Sequence, residues 1–369
     1  MFGYELNKAM FKQRGLFFLI IVFLAEIIMI NAEHPGIKLQ DDAILIHYYE
    51  YATNLTGKLT PEKEKYILSE QELITDAKNT EYAIEVRLRN GEYSTREEYL
   101  SEYQSIREIT EREEAFNLFL EKYNYAKSSV HNRYITLGEY GGLGRDFPDI
   151  IFLAFTVFMT STMFLSEEAS NMIVLVKTSS NGRKMLWGKV LSLLCMLILV
   201  EIFRMITEIL TMTSQGDLSE LKFPIQSIPY FQGCPYKLSI IQVLLASETL
   251  RFLGILFVAA LIILFSVTIR NPIFTVFVPS ALCLLQQYFF NPSTGAYYIP
   301  TGLLRAVGYF RGNAFETLYA GSTEEKTVQT FSEIPFVFLV VIVVFTVLFI
   351  GAAILTAIKY YSRGKEDAR

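Results

Sequence analysis

The chain has 369 residues, 51% of them hydrophobic, with 29 Phe and 22 Tyr, and a mean hydropathy of +0.31; these values are high for a soluble enzyme and ordinary for a chain that crosses a membrane several times. The net charge of −5 is uneven: residues 32–148 carry 22 Asp and Glu against 14 Lys and Arg, a local −8 that leaves +3 for the rest, and neither part has the basic footprint of a nucleic-acid binder. Cys195, Cys234 and Cys283 are too scattered for a disulfide framework or a paired-cysteine metal knuckle, and His34, His47 and His131 form no HExxH or i,i+4 pair, which argues against metal chemistry.

A basic approach (Lys8, Lys12, Arg14) leads into Leu16–Ile30, the first of six apolar segments. A helix needs roughly 20 apolar residues, about 17 at the least, to cross a bilayer core, and this first one is short but extended by its flanks. A cleaved signal peptide would want small residues before its cleavage point. "IMINAEH" puts Ile30 at one of those positions, so the segment is expected to remain as an anchor.

The charged stretch that follows reads as two or three helices. Asn90-Gly91 breaks the run, and Ser94/Thr95 followed by Glu97/Glu98 looks like the next helix start. Tyr99, Tyr103, Ile106 and Ile109 recur at helical spacing, which suits a small helical hairpin with one buried face. A solvated spacer is the plainer reading; a cap that shapes an exit path or receives a partner is the sharper one. Asn54-Leu55-Thr56 matches the glycosylation sequon, which has meaning only on a eukaryotic secretory route.

Ile150–Leu165 and Leu186–Leu210 are the second and third spans. Between them, "FLSEEASNMIVLVKTSSNGRKMLWGKV" is far longer than a connector requires. Ser166 is placed to cap a helix whose first turn holds Glu167 and Glu168, where the helix dipole favours negative charge. Met172, Leu175 and Val176 form an apolar stripe, Thr178 to Gly182 end the helix, and Arg183, Lys184 and Lys189 meet the inner headgroups at the start of the third span. A 166–182 helix of this kind can lie on a membrane or enter a groove in a soluble partner, and the residues leave both open.

Within the third span Glu201, Arg204 and Glu208 occupy i, i+3 and i+7 and share a face. An unpaired charge at mid-bilayer costs about 2.5–3.5 kcal/mol even on a lenient scale, so Arg204 is expected to pair with both acids and this face to look inward. An ion-paired triad that locks helix packing is the first reading, a conduit or subunit interface the second. Glu26, late in the first span, and the Glu248/Arg251 pair, at the outer mouth of the fourth, are placed to extend the network.

"FPIQSIPYFQGCPY" reads as an external loop that packs on headgroups. Phe252–Ile269 and Ile273–Phe290, the fourth and fifth spans, are broken only at Arg270-Asn271-Pro272. Gln286 and Gln287 suit either a path lining or interhelical hydrogen bonds. "IPTGLLRAVGYF" reads as a short amphipathic helix, and Ile334–Ile358 is the sixth span. Lysines and arginines then set the direction: those near the N-terminus, in the 166–182 insert, at Arg270 and after Lys359 all fall on one side, which puts both termini and the insert in the cytoplasm and residues 32–148 outside.

"EEASNMIVLVKTSSNGRKMLWGK" resembles the cytoplasmic signature of permease subunits of type-two ATP-binding cassette (ABC-2) exporters. The matching residues are Glu167 and Glu168, Met172, Leu175, Thr178, the Gly182-Arg183 pair and Lys189, with Asn171 where the family usually has Gly. "YELNKAMFKQRGLFFLI" is similar to that family's interfacial lead-in helix, and 299–310 to its re-entrant element. The resemblance covers the six spans and their order but not residues 32–148.

The resemblance implies an all-α integral membrane protein of six transmembrane helices with an extracellular helical domain between spans 1 and 2. Its parts are the lead-in helix and first span (1–31), the extracellular domain (32–148), a membrane domain of five spans with a coupling helix at 166–182 (149–358), and a basic tail (359–369). It implies that Glu167, Glu168, Met172, Leu175, Thr178, Gly182 and Arg183 dock a separate cytoplasmic ATPase subunit, that a second permease completes the transporter, and that the chain sits among lipids in a bacterial plasma membrane. ATP and Mg are expected on the partner: Gly57-Lys58, Gly188-Lys189 and Gly364-Lys365 lack the earlier Gly and the following Ser or Thr of a phosphate-binding loop. No catalytic residue or cofactor is expected in this chain. A membrane-bound protease or acyltransferase would want a nucleophile–base constellation that the His positions do not offer. A sensor or scaffold with a ligand-binding ectodomain is the alternative that keeps the outer domain. Peptide, lipid and drug substrates all remain open.

Overall fold

The structure, a computed structural model, describes residues 2–32, 42–128, 133–134, 150–169, 182–215, 218–269, 271–289, 294–320 and 324–362. In chain order the helices are α1 (Phe2–Asn7), α2 (Gly15–Ala32), α3 (Asp42–Leu55), α4 (Pro61–Arg89), α5 (Arg96–Thr110), α6 (Arg112–Ser128), α7 (Ile150–Ala169), α8 (Gly182–Gln215), α9 (Ile240–Thr268), α10 (Pro272–Phe289) and α11 (Phe336–Ser362). Two antiparallel ribbons accompany them, β1 (Gly57–Lys58) with β2 (Arg133–Tyr134) and β3 (Ala314–Ala320) with β4 (Glu324–Phe331). The chain divides into two compact units: Met1–His34, Gly141–Ser214 and Gly233–Arg369 in the first, Pro35–Tyr140 and Gln215–Gln232 in the second.

Among the described residues three helices of the first unit are long and apolar enough to cross a membrane: α9, α11 and the Gly182–Leu210 part of α8. Shorter apolar helical stretches cover Gly15–Ala25, Ile150–Leu165 and Ile273–Cys283. α9 is the central helix, since 67% of its apolar window is buried against 39% for α8 and 22% for α11. Its sequence requires this, because "FVAALIILFSVT" is apolar on every face and a helix of that kind must be surrounded. Ile255, Val258, Ala259 and Ile262 of α9 join Phe152 and Phe155 of α7 and Leu197 of α8 in one buried cluster. α11, by contrast, exposes Val337, Val341, Val344, Leu348 and Leu355, a surface that suits hydrocarbon rather than water.

The lead-in end of this unit is pinned by a close approach. Arg14, at φ 58°, turns the chain between a five-residue π-helical turn (Lys8–Lys12) and α2. Gly15 follows because a Cβ there would stand 2.5 Å from the Ala9 carbonyl oxygen and 2.9 Å from the methyls of Met159 and Met196. Gln13 then donates its amide to the Thr162 carbonyl at 3.2 Å, which ties the lead-in segment to α7.

α9 begins about three turns before the Phe252 start expected from hydropathy. Ser239 and Gln242 form a reciprocal capping box that sets its first turn. Pro300–Phe310 also differs from expectation: it is a run of 3-10 turns with ten of its eleven residues buried and a kink at Arg305 (φ −108°, ψ 43°), not a regular amphipathic helix. Gly254 of α9 admits it, since a Cβ there would lie 3.0 Å from the Leu304 nitrogen. The β3–β4 hairpin that follows, with Thr317 opposite Thr327, is strand structure inside a mostly helical fold and was not expected from the sequence.

The second unit has its own core. Tyr48, Tyr51 and Leu55 of α3, Ile67 and Ile74 of α4, and Phe116, Phe119 and Tyr123 of α6 are buried together. Thr60 caps α4 ahead of Pro61, and Thr95 caps α5, as the Ser94/Thr95 pattern predicts. Gly91 takes φ 71° at the break between these helices. Lys63 donates to the carbonyls of Leu55 (3.2 Å) and Thr56 (2.7 Å), closing the end of α3, and burial lowers its pKa. The face of Tyr99, Tyr103, Ile106 and Ile109 is only half-buried; Tyr99 and Tyr103 stack at 5.7 Å, and the core lies on α3, α4 and α6 instead.

The Pro-rich loop also departs from expectation. Residues up to Gln232 belong to the second unit, with Ile225 and Phe231 fully buried, and the Tyr125 hydroxyl donates to the Gln226 carbonyl at 2.9 Å. Desolvation pushes the Tyr125 hydroxyl up to about 12.

Candidate functional site

Two constellations in the first unit carry chemistry, and both lie on α8. The first is ionic. The i, i+3, i+7 spacing puts Glu201, Arg204 and Glu208 on one face, and all three are buried, Arg204 at 1% exposure. Arg204 Nη2 donates to Glu201 Oε1 at 3.2 Å, and Nη1 lies 3.5 Å from Glu208 Oε2. Arg204 also pairs across to Glu248 of α9, whose other oxygen accepts from Arg251 Nη1 at 3.0 Å. The chain Glu208–Arg204–Glu248–Arg251, with Glu201 on its side, therefore bridges two helices.

The structure thus brings the Glu248/Arg251 pair into the network, on the part of α9 that precedes the Phe252 start of the apolar run. Eight residues separate Glu248 from Ile240, about 12 Å along the helix. The capping box at Ser239 is the signal that places them there. Arg251 Nε and Nη2 are buried without a hydrogen-bond partner among the described residues. The side chains of Glu26, Gln286 and Gln287 lie outside what the structure describes.

The second constellation frames the insert between α7 and α8. Met172, Leu175 and Thr178 lie outside the described residues. The described part of α7 runs through Ser166, Glu167 and Glu168 to Ala169, where the sequence predicts Ser166 to open another helix. Gly182 and Arg183 begin α8, with Arg183 exposed. Lys189 does not reach headgroups. It is completely buried, donates Nζ to the Met163 carbonyl at 2.9 Å, and stands 5.6 Å above the Phe164 ring and 5.8 Å above that of Tyr361. One ammonium thereby joins the end of α7, the start of α8 and the end of α11. Sequence reasoning missed this role, because a lysine beside an apolar run looks like an interfacial anchor.

Among the described residues no group of three His, Cys, Asp or Glu side chains is placed to hold a metal ion. Comparison with protein-family models, curated proteins and solved structures returned no match for this chain.

Proposed function

We propose that this chain is the membrane-spanning permease subunit of an ATP-driven exporter, docking a separate cytoplasmic ATPase through the 166–182 insert and working beside a second permease. The observation that carries the reading is the frame of that insert. Lys189 clamps α7, α8 and α11 together just behind it. A partner that pulled on the insert would move three packed helices together.

Helix lengths support six spans in this reading. Besides the three long helices, α2, α7 and α10 have 18, 20 and 18 residues, about 27–30 Å of rise against a hydrocarbon core of about 30 Å. With both termini cytoplasmic, the second unit then forms an extracellular helical domain. The alternative is a sensor or scaffold, favoured by the separate core of that unit.

The test is a mild-detergent pull-down of the tagged chain from its native membrane, comparing wild type with Glu167→Lys/Glu168→Lys. Recovery of a stoichiometric ATPase with wild type and its loss from the double variant is the expected result. The variant should still insert, because both positions lie outside the apolar stretch Ile150–Leu165. Equal ATPase recovery from both would remove the docking assignment, and recovery of extracellular proteins alone would favour the sensor.

A further inference from the structure

We infer that the slot between α4 and α6 of the second unit binds a neutral peptide segment, holding its backbone amides with carboxamide side chains and an apolar side chain against the core. Two ion pairs join these helices, Lys127 with Glu64 at 3.5 Å and Lys78 with Glu113 at 2.7 Å. The pairs lie fourteen residues apart on each helix and in opposite chain directions, so α4 and α6 run antiparallel with struts about 21 Å apart. Beside the Lys78–Glu113 strut is a cavity of about 320 Å³, lined from Gln71 to Asn79 on α4 and from Glu113 to Leu120 on α6. That volume is at the lower end of small-ligand sites, enough for one or two residues of a peptide.

Gln71, Thr75 and Asn79 recur at i, i+4 and i+8 on α4, and Asn117 stands one turn beyond Glu113 on α6. Short polar side chains at these positions leave space that larger apolar ones would close. The side chains of Gln71, Asn79 and Asn117 make no hydrogen bond among the described residues, so all three carboxamides are available to a ligand. Beneath them the lining is apolar: Ile74 and Phe116 belong to the buried core of the unit, and Leu120 packs against it.

A carboxamide offers a donor and an acceptor side by side, and a peptide group offers the complementary pair. Three carboxamides around one apolar floor therefore match a backbone that carries amides and an apolar branch. The Lys78–Glu113 pair at the end of the cavity is already neutral as a pair, so it asks no net charge of the ligand. Phe116 is 2% exposed and presents no ring face for a sugar to stack on, which favours a peptide over a saccharide. The inference concerns the second unit alone. It rests neither on the exporter reading nor on the sensor reading, and recovery of an ATPase does not bear on it.

The experiment is photo-crosslinking of the full chain in detergent with acetyl-glycyl-photoleucyl-glycine amide, a neutral capped peptide, and mapping of the labelled residues by mass spectrometry. Labelling should saturate with peptide concentration, yield to the unlabelled leucyl peptide, and fall within 71–79 or 113–120. Asn79→Ala and Asn117→Ala should each raise the half-saturating concentration about fivefold, the effect of losing one neutral hydrogen bond. Both positions are exposed, so the melt of the second unit should not change. Labelling of wild type only outside these two stretches would overturn the proposal without recourse to any variant. Labelling in the slot that neither substitution weakens would overturn it as well. Competition by maltose, with none by the unlabelled peptide, would give the slot to a saccharide instead.

Discussion

Arg204→Met tests the ionic network most directly, because methionine keeps much of the volume and removes only the charge and donors. At 3.2 Å and an effective dielectric of about 20, the Arg204–Glu201 attraction is roughly 5 kcal/mol before desolvation. Most of that gain is offset by the cost of taking both ions out of water, so the pair itself adds little. The variant is different. It leaves Glu201, Glu208 and Glu248 buried without the guanidinium that pairs with all three, while Arg251 bonds Glu248. Breaking a buried pair in this way costs about 3–5 kcal/mol. The measurement is the unfolding free energy of the full chain in mixed micelles, by denaturing-detergent titration followed by circular dichroism. Adding Glu201→Gln and Glu248→Gln to Arg204→Met should recover much of the loss, since the stranded charges go with it. A single variant within about 0.5 kcal/mol of wild type would refute the network as drawn. A large loss with no recovery would assign Arg204 to packing instead.

Other consequences follow from the same geometry. Phe119 is fully buried among Tyr51, Phe116 and Tyr123, so Phe119→Ala should destabilise the second unit by about 3–5 kcal/mol, read from its near-ultraviolet dichroism melt. Lys189→Met should cost about 1–3 kcal/mol and speed hydrogen exchange at the end of α7, because the Met163 carbonyl loses its ammonium partner. At the α4–α5 tip, hydrogen bonds from Arg87 and then Tyr93 hold the Glu102 carboxyl below its ordinary value of 4.5. A depressed carboxyl pKa gives stability that is present above 4.5 and lost as the pH falls through the folded value, so exchange in α5, corrected for intrinsic rates, should rise as the pH falls below 4.5. Glu102→Gln should already show the looser tip at neutral pH and lose this dependence.

Hydropathy and punctuation by themselves determined the helical character, the three longest apolar helices, the charged second unit and the α4–α5 break, because each depends on short stretches of chain. Thr95 and Gly91 act within a few residues of themselves, and the sequence registers them without any tertiary partner. The shared face of Glu201, Arg204 and Glu208 was legible for the same reason, being a matter of helical period alone.

Tertiary structure decided which ions meet. That Arg204 reaches Glu248 depends on how α8 and α9 pack, and that α9 starts at Ser239 depends on a cap preceding the hydropathy signal. Lys189 and Pro300–Phe310 were misplaced because an amphipathic or basic residue near an apolar run has two outcomes, interface or interior, and only its neighbours choose between them. For Lys189 those neighbours are the Met163 carbonyl and two aromatic rings. For the 3-10 segment the choice was made by Gly254, whose missing side chain leaves room for Leu304 against α9.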